Sequence, residues 1–371
     1  MKLRLLNFLT CPIDKKFPLK IKVIKIKEVY HPSQNEIKDC DLYCGLRGKS
    51  RKEIEDIECR ECLSKEIEEA ILICDECKRE YPVIDGIPRL CPEDLRSKEE
   101  TLFLQKYQNK EIDLSLSSNS LAVKDEVRSL AKRDEEAQMY DLSFSQYANL
   151  IEIPTTLKRL KLKAEDFILD AGSGTGRITQ ELVKTCKEIV ALDFSAESLK
   201  VCQERCAGSN RLVHLVKGDL THLPLRDGIF DKAGSFQVFA DLPGEDLRRK
   251  GIEEIHRVIK PDGIFVITVF NYSMYERLRL FKYASKKEGY HHRVIYYFRF
   301  TNNEFRQLLS KKFKVKELCG IRNIPGRPFG EFFRKIGLFK LSRFFDINLE
   351  KTPLSYLTGR FLLAKCIKLK E

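Results

Sequence analysis

The stretch FILDAGSGTGRITQEL, residues 167–182, constrains this chain more than any other. A short apolar run ends in Asp170, glycines follow at 172, 174 and 176, and a helical pattern starts at once. Glycine lets a backbone turn tightly and approach a ligand closely, and a helix start offers free N–H groups. The surrounding pattern agrees. Short apolar runs (FILDAG, EIVALDF, LVHLVKGD, IFDKAGSF, GIFVITVF) alternate with helical segments (TGRITQELVKTC, AESLKVCQERC, GEDLRRKGIEEIHRVIK). Such alternation predicts βαβ units around a parallel sheet. The pattern runs on through RVIYYFRF, the helical TNNEFRQLLSKKF and KVKELCGI, to a closing strand RFLLAKCIKLK.

A dinucleotide fingerprint, G-x-G-x-x-G, would place a small residue where Arg177 stands, so a pyrophosphate site is not expected. The remaining D-x-G-x-G-x-G resembles the nucleotide-binding loop of class I S-adenosylmethionine-dependent methyltransferases of the type 11-like kind. Asp193 ends the next strand, 23 residues after Asp170, and Asp219 ends the strand after that. Asp often caps strand-to-helix turns, but three acids in register with a glycine loop form a constellation. The likeness covers roughly residues 140–270 and includes EEIHRVIKPDGIFVITVFN. It implies an α/β Rossmann-like fold with a mostly parallel seven-stranded sheet, and S-adenosylmethionine as cofactor. The implied cofactor contacts are Asp170, Ala171, Gly172, Ser173, Gly174, Thr175 and Gly176 around the methionine portion. Asp193 with Phe194 would take the ribose, and Asp219 with Leu220 the adenine. Phe236 and Tyr140, the latter in a lid-like MYD, complete the set.

The mechanism this resemblance implies is direct transfer of a sulfonium methyl to an acceptor held in line, in which positioning carries much of the barrier. The segment SFQVFADLP after the fourth strand lacks the Asp/Asn/Ser-Pro-Pro-Tyr/Phe element that holds an amide or exocyclic amine, and it lacks a Pro-Cys nucleophile. Methylation of an adenine or glutamine nitrogen is therefore disfavoured. Asp241 reads either as an acid–base group or as a helix N-terminal residue, and no catalytic residue is assigned.

Eight of the 13 cysteines fall in the first 91 residues, mostly as C-x-x-C or C-x-x-x-C pairs. In a chain without a signal-peptide pattern such pairs point to metal rather than disulfides. LLNFLTCPIDKKFPL and ILICDECKREYPVIDGIPRL resemble the small zinc-binding activator subunit of tRNA, rRNA and release-factor methyltransferases. Zinc takes four tetrahedral ligands. A nested assignment gives Cys40, Cys44, Cys59 and Cys62 as an inner site, and Cys11, Cys74 and Cys77 as an outer one with Asp14 as a carboxylate fourth ligand. Pairing Cys59/Cys62 with Cys74/Cys77 is the rival, and buried free cysteines the plain alternative. Cys91, Cys186, Cys202, Cys206, Cys319 and Cys366 read as core residues.

The expected organisation is a zinc-binding, zinc-ribbon-like α+β domain over 1–95, a charged linker with lid helices over 96–150, and a methyltransferase domain over 151–371. No apolar run could span a bilayer, and the expectation is a cytoplasmic protein. The net charge of +12 is uneven: residues 271–371 carry 23 Lys/Arg against 8 Asp/Glu, or +15, leaving −3 for the rest. A basic C-terminal region attracts nucleic acid or another anionic surface, or is simply a lysine-rich solvated face. The activator likeness favours a component of the translation machinery as acceptor, tRNA or rRNA first or another translation component. A small molecule, glycan or lipid precursor is the alternative, and a non-catalytic zinc-module scaffold the third reading.

Overall fold

The structure, a computed structural model, describes residues 1–28, 43–53, 65–108, 132–135, 137, 146–209, 211–274, 286–291, 294–324 and 331–369. Its strands in chain order are β1 (Lys20–Glu28), β2 (Tyr43–Cys44), β3 (Lys49–Ser50), β4 (Lys65–Ile73), β5 (Glu80–Ile84), β6 (Ile87–Leu90), β7 (Phe167–Ala171) and β8 (Glu188–Asp193). There follow β9 (Leu212–Gly218), β10 (Phe230–Phe236), β11 (Ile259–Phe270), β12 (Glu288–His291), β13 (Ile295–Phe298), β14 (Phe313–Ile321) and β15 (Phe361–Lys368).

Seven strands form the expected mostly parallel sheet, in the order β9-β8-β7-β10-β11-β15-β14. The pairs from β9 to β11 are parallel, and β15 runs antiparallel between β11 and β14. Ile168, Leu169, Val190, Ala191, Val266 and Ile267 are fully buried, as apolar runs covered on both faces must be. Helices supply the cover. Ala196–Cys206 starts at Ser195, whose hydroxyl accepts from the Ser198 N–H at 3.0 Å. Asn302–Ser310 starts with a capping box between Thr301 and Glu304.

Four strands from the cysteine-rich segment extend this sheet to eleven, in the order β1-β4-β5-β6 and then β9. The seam is the parallel β6–β9 pair, with Arg89 opposite Lys217 and Leu90 opposite Gly218. Charges buried there are paired, which is the condition under which a charge tolerates burial. Lys217 bonds Glu100, and Arg89 bonds Glu99 with Glu100 at 3.8 Å. Arg4 holds Glu188 through two bonds of 2.7 and 3.0 Å, and His214 Nε2 lies 2.6 Å from the same carboxylate. Burial would raise the Glu188 carboxyl, but His214 and Arg4 hold it down at about 2. Phe8 adds an apolar contact, its ring centroid 4.6 Å from that of Phe167. The outer edge, β1 (KIKVIKIKE), is lysine-rich and mostly exposed, a composition that discourages further strand addition.

Two elements differ from expectation. The helical run after the glycine loop is regular only over Thr179–Leu182. RVIYYFRF meets the main sheet only at Phe300, which bridges Asn271 just past β11, while its Ile295–Phe298 pairs with Glu288–His291 as a separate hairpin.

Candidate functional site

The glycine loop is pinned over β8, with the N–H groups of Gly172 and Ser173 both donating to the Leu192 carbonyl at 2.7 and 2.9 Å. All three glycines have positive φ, +85°, +53° and +79° in order. A Cβ on Gly172 would sit 2.1 Å from a methyl of Val238, and one on Gly176 would sit 2.6 Å from the Cys202 sulfur. A Cβ on Gly174 would meet nothing within 4 Å. The outer glycines are thus required by packing, whereas the middle one faces open space where a ligand can approach.

Two acids flank that space. Asp193 Oδ2 accepts from the Gly174 N–H at 2.8 Å, and its Oδ1 from the Ser195 N–H at 2.9 Å. Asp170 Oδ2 accepts from the Thr179 hydroxyl at 2.7 Å, while its Oδ1 and the Ser173 hydroxyl are buried without a partner. A buried acceptor left unpaired is costly unless a ligand completes it. Burial pushes the Asp170 carboxyl up to about 7; Thr179 opposes this and the charge on Asp193 adds to it. These groups fit a cofactor bearing an ammonium group and neighbouring hydroxyls. Asp219 stands at the end of β9, where its carboxylate accepts from the Thr221 N–H at 2.8 Å and lies 2.7 Å from His222 Nδ1. Ala171, Thr175 and Leu220 are buried, and Phe194 and Phe236 half-buried. Tyr140 lies outside the described residues.

Two groupings around this space escaped sequence reasoning. Arg133 bonds Asp241 at 2.6 Å, and Asp134 bonds the Ser195 hydroxyl, so a stretch read as charged linker closes onto the loop after β8. Asp241 therefore ends the short turn Val238–Ala240 paired with an arginine, rather than starting a helix. Burial raises its carboxyl, against the opposing charge of Arg133. The second grouping centres on Glu152, which is fully buried. It accepts from Arg177 at 3.1 Å and from Gln237 at 2.6 Å, and Arg322 approaches at 3.7 Å. Arg177, the residue that breaks the dinucleotide fingerprint, is thereby tied to a helix on the far side of the loop. Gln237, in left-handed backbone (φ +72°) directly after β10, was visible only as part of SFQVFADLP.

The outer metal set is brought together. One ligand atom from each of Cys11, Asp14, Cys74 and Cys77 lies within 4.8 Å of the others. The two turns are built alike. Lys15 N–H bonds the Cys11 carbonyl and Lys78 N–H the Cys74 carbonyl, both at 3.0 Å, and both lysines have positive φ. Asp14 in CPID thus takes the place that Cys77 takes in CDEC. Tetrahedral zinc with bonds of about 2.3 Å sets its sulfurs about 3.8 Å apart; Cys11 and Cys77 are 3.7 Å apart. Cys74 lies 3.2 Å from Asp14 Oδ2. The set could hold a zinc ion. Burial pushes the Cys74 thiol up to about 12 and raises Cys11, so the ion would supply the charge that makes them thiolates. Burial acts to raise Asp14 too, but the Lys16 N–H and the thiols of Cys77, Cys74 and Cys11 hold it well below the usual carboxylate range. Of the inner set, Cys44 is buried; Cys40, Cys59 and Cys62 lie outside the described residues. Cys91, Cys186, Cys202, Cys206, Cys319 and Cys366 are buried as expected.

Strand order, glycine loop and acids together define a class I methyltransferase fold of the S-adenosylmethionine-binding type. Comparison with known proteins agrees: residues 169–267 match the methyltransferase domain family and residues 2–86 the Trm112p-like family. One chain thus carries a stretch similar to the methyltransferase domain family and a stretch similar to the Trm112p-like family. A demethylmenaquinone methyltransferase of Lactobacillus johnsonii is 33% identical over 153 residues, 36% of this chain and 62% of that protein. A tRNA (carboxymethyluridine(34)-5-O)-methyltransferase of Arabidopsis thaliana is 37% identical over 109 residues, 29% of this chain and 25% of that one. The chain thus spans less than two thirds of the length of these curated relatives. Among solved structures, the complex between the Haloferax volcanii Trm112 methyltransferase activator and a methyltransferase aligns at 21% identity over 65% of this chain and 96% of that one, with a TM-score of 0.46.

Proposed function

We propose that this protein transfers the methyl group of S-adenosylmethionine to an acceptor, with the cofactor seated between the 171–176 loop and Asp193. One observation carries the reading: Gly174 faces open space between two glycines locked by packing, beside a buried Asp170 oxygen and a Ser173 hydroxyl that both lack partners. The cofactor supplies an electrophilic methyl on a sulfonium centre. Asp170 and Ser173 would receive its amino group, Asp193 its ribose hydroxyls, and Asp219 with Leu220 its adenine. Phe194, Phe236 and Tyr140 would close the pocket. The pair Arg133–Asp241 ties the 132–135 segment to the turn after β10, and the Glu152–Gln237 bond fixes the end of β10 on the acceptor side. Orienting two reactants in this way is worth up to about 7–11 kcal/mol of barrier. A zinc ion on Cys11, Asp14, Cys74 and Cys77 would be structural, since four protein ligands leave no open position.

For the acceptor, the Trm112p-like domain and the basic region 271–371 support tRNA or rRNA, bound through phosphate contacts. A second reading, an amphiphilic small molecule such as a lipid or glycan precursor, is favoured by large apolar side chains exposed on the C-terminal helices. Incubation with methyl-labelled S-adenosylmethionine and cell extract, followed by fractionation, separates the two. Label in RNA supports the first and label in the lipid or small-molecule fraction the second, while label in neither removes the enzymatic reading.

A further inference from the structure

The helix Phe339–Glu350 (FKLSRFFDINLE) has its polarity reversed relative to a surface helix. Ser342, Asp346 and Glu350, spaced four residues apart, face inward and are buried. They are bonded there: Asp346 accepts from the Asn323 N–H at 2.8 Å, and Glu350 accepts from Thr155 and Arg159, each at 3.2 Å. These bonds fix the rotation of the helix, so Leu341, Phe344 and Phe345 point to solvent while Phe339, Ile347 and Leu349 stay half-buried. Phe344 is 61% and Phe345 53% exposed, joined by Leu341 and, from the preceding turn and helix, Leu338, Ile336 and Phe332. Exposure of this much apolar side chain in one short stretch marks an interaction surface.

Charge says what covers it. Lys335, Lys340 and Lys351 are exposed and Arg343 half-buried among these apolar side chains. The acids of the same helix, Asp346 and Glu350, are turned inward. Exposed Phe and Leu interleaved with Lys and Arg is the composition of a helix that lies in the headgroup plane of an anionic bilayer. A nucleic-acid duplex would use the cations but offers outward phenylalanines no unpaired base to stack on, and a second copy of the chain would bring its own cations against these. No helix among the described residues is long and apolar enough to cross a membrane, so contact would be peripheral. We propose that the helices at 331–350 dock this protein on a membrane surface carrying anionic lipid. The opposite, inward face of the helix is linked to the proposed site: Asp346 holds Asn323, and the adjacent Arg322 approaches Glu152, which holds Gln237.

The test is co-sedimentation of the full chain with large vesicles of phosphatidylcholine alone and of phosphatidylcholine with 30% phosphatidylglycerol (about physiological salt), beside size-exclusion chromatography and a titration of total tRNA. Binding is expected on the anionic vesicles and at least about tenfold weaker on the neutral ones. The Phe344→Ser/Phe345→Ser double variant should bind anionic vesicles at least about tenfold more weakly. Lys335→Glu/Lys340→Glu should lose binding as well, and both variants should keep the elution position and the affinity for S-adenosylhomocysteine of the parent. Four results would overturn the proposal: no vesicle binding, binding indifferent to lipid charge, binding unchanged in the serine variant, or a dimer that the serine variant converts to monomer. Tight tRNA binding lost in the glutamate variant but kept in the serine variant would reassign the surface to nucleic acid.

Discussion

The seam between the Trm112p-like segment and the methyltransferase sheet buries charges, and the C-terminal helices expose phenylalanines. Each reverses the ordinary distribution, and for different reasons. At the seam, Arg4, Glu188, Lys217, Glu100 and Arg89 lie at most 7% exposed, each with an ion partner within 4 Å, and the buried His214 bonds Glu188. Such a network gives little net stability compared with apolar packing, but it fixes one register, because any slip leaves a charge unpaired. On the C-terminal helices the polar stripe is consumed inward by Asn323, Thr155 and Arg159, and among the described residues nothing covers Leu341, Phe344 and Phe345.

The comparison can be broken by substitution. The largest effect is expected at the seam: Glu188→Gln leaves Arg4 buried without its counter-charge and should cost about 3–5 kcal/mol in urea unfolding. The same pair sets a pH window. Glu188 is held at about 2 against an ordinary value near 4.3, so its contribution is present above about pH 4 and lost as pH falls toward 2. Acid unfolding of the parent should therefore be steeper in that range than that of the variant. Next in size is the metal turn. Cys74→Ser, or a strong chelator, should lower the unfolding midpoint and release zinc measurable with a colorimetric indicator, and a preparation without zinc would remove the metal assignment.

A smaller effect concerns the cofactor. The Asp170 carboxyl at about 7 is raised relative to its ordinary value, so the free chain holds a proton there below that pH and loses stability as pH rises toward and through it. A cofactor whose ammonium group requires the carboxylate should bind about tenfold more weakly per pH unit below 7, with proton release on binding near neutrality. Asp170→Asn should flatten that profile. The smallest effect is predicted for Phe344→Ser/Phe345→Ser, whose unfolding free energy should stay within about 0.5 kcal/mol of the parent. A loss as large as that of Glu188→Gln would show that the apolar face is packed after all and end the contrast.

The sheet was legible in the sequence because its strands are continuous apolar runs closed by Asp170, Asp193 and Asp219, and burial on both faces leaves that pattern no other use. The metal turn was legible because CPID and CDEC share a spacing. Other features were not, and the reason is the same in each case. The β6–β9 seam pairs residues far apart in the chain, and nothing local in IPRL announces a parallel partner. Glu152 reads as one acid in an amphipathic helix until Arg177 and Gln237 are brought to it. In FKLSRFFDINLE the period separates two faces without saying which turns inward, and the choice is made by Asn323, Thr155 and Arg159. The isolated hairpin of β12 and β13 misled for a related reason, since a strand pattern does not name its partner.

Whether the open glycine and its acids hold S-adenosylmethionine is decided by a calorimetric titration of S-adenosylhomocysteine into the parent and into Asp193→Ala. A single site is expected in the parent and no measurable binding in a variant whose unfolding stays cooperative. Equal affinity in the two proteins, or no binding by the parent, would contradict it.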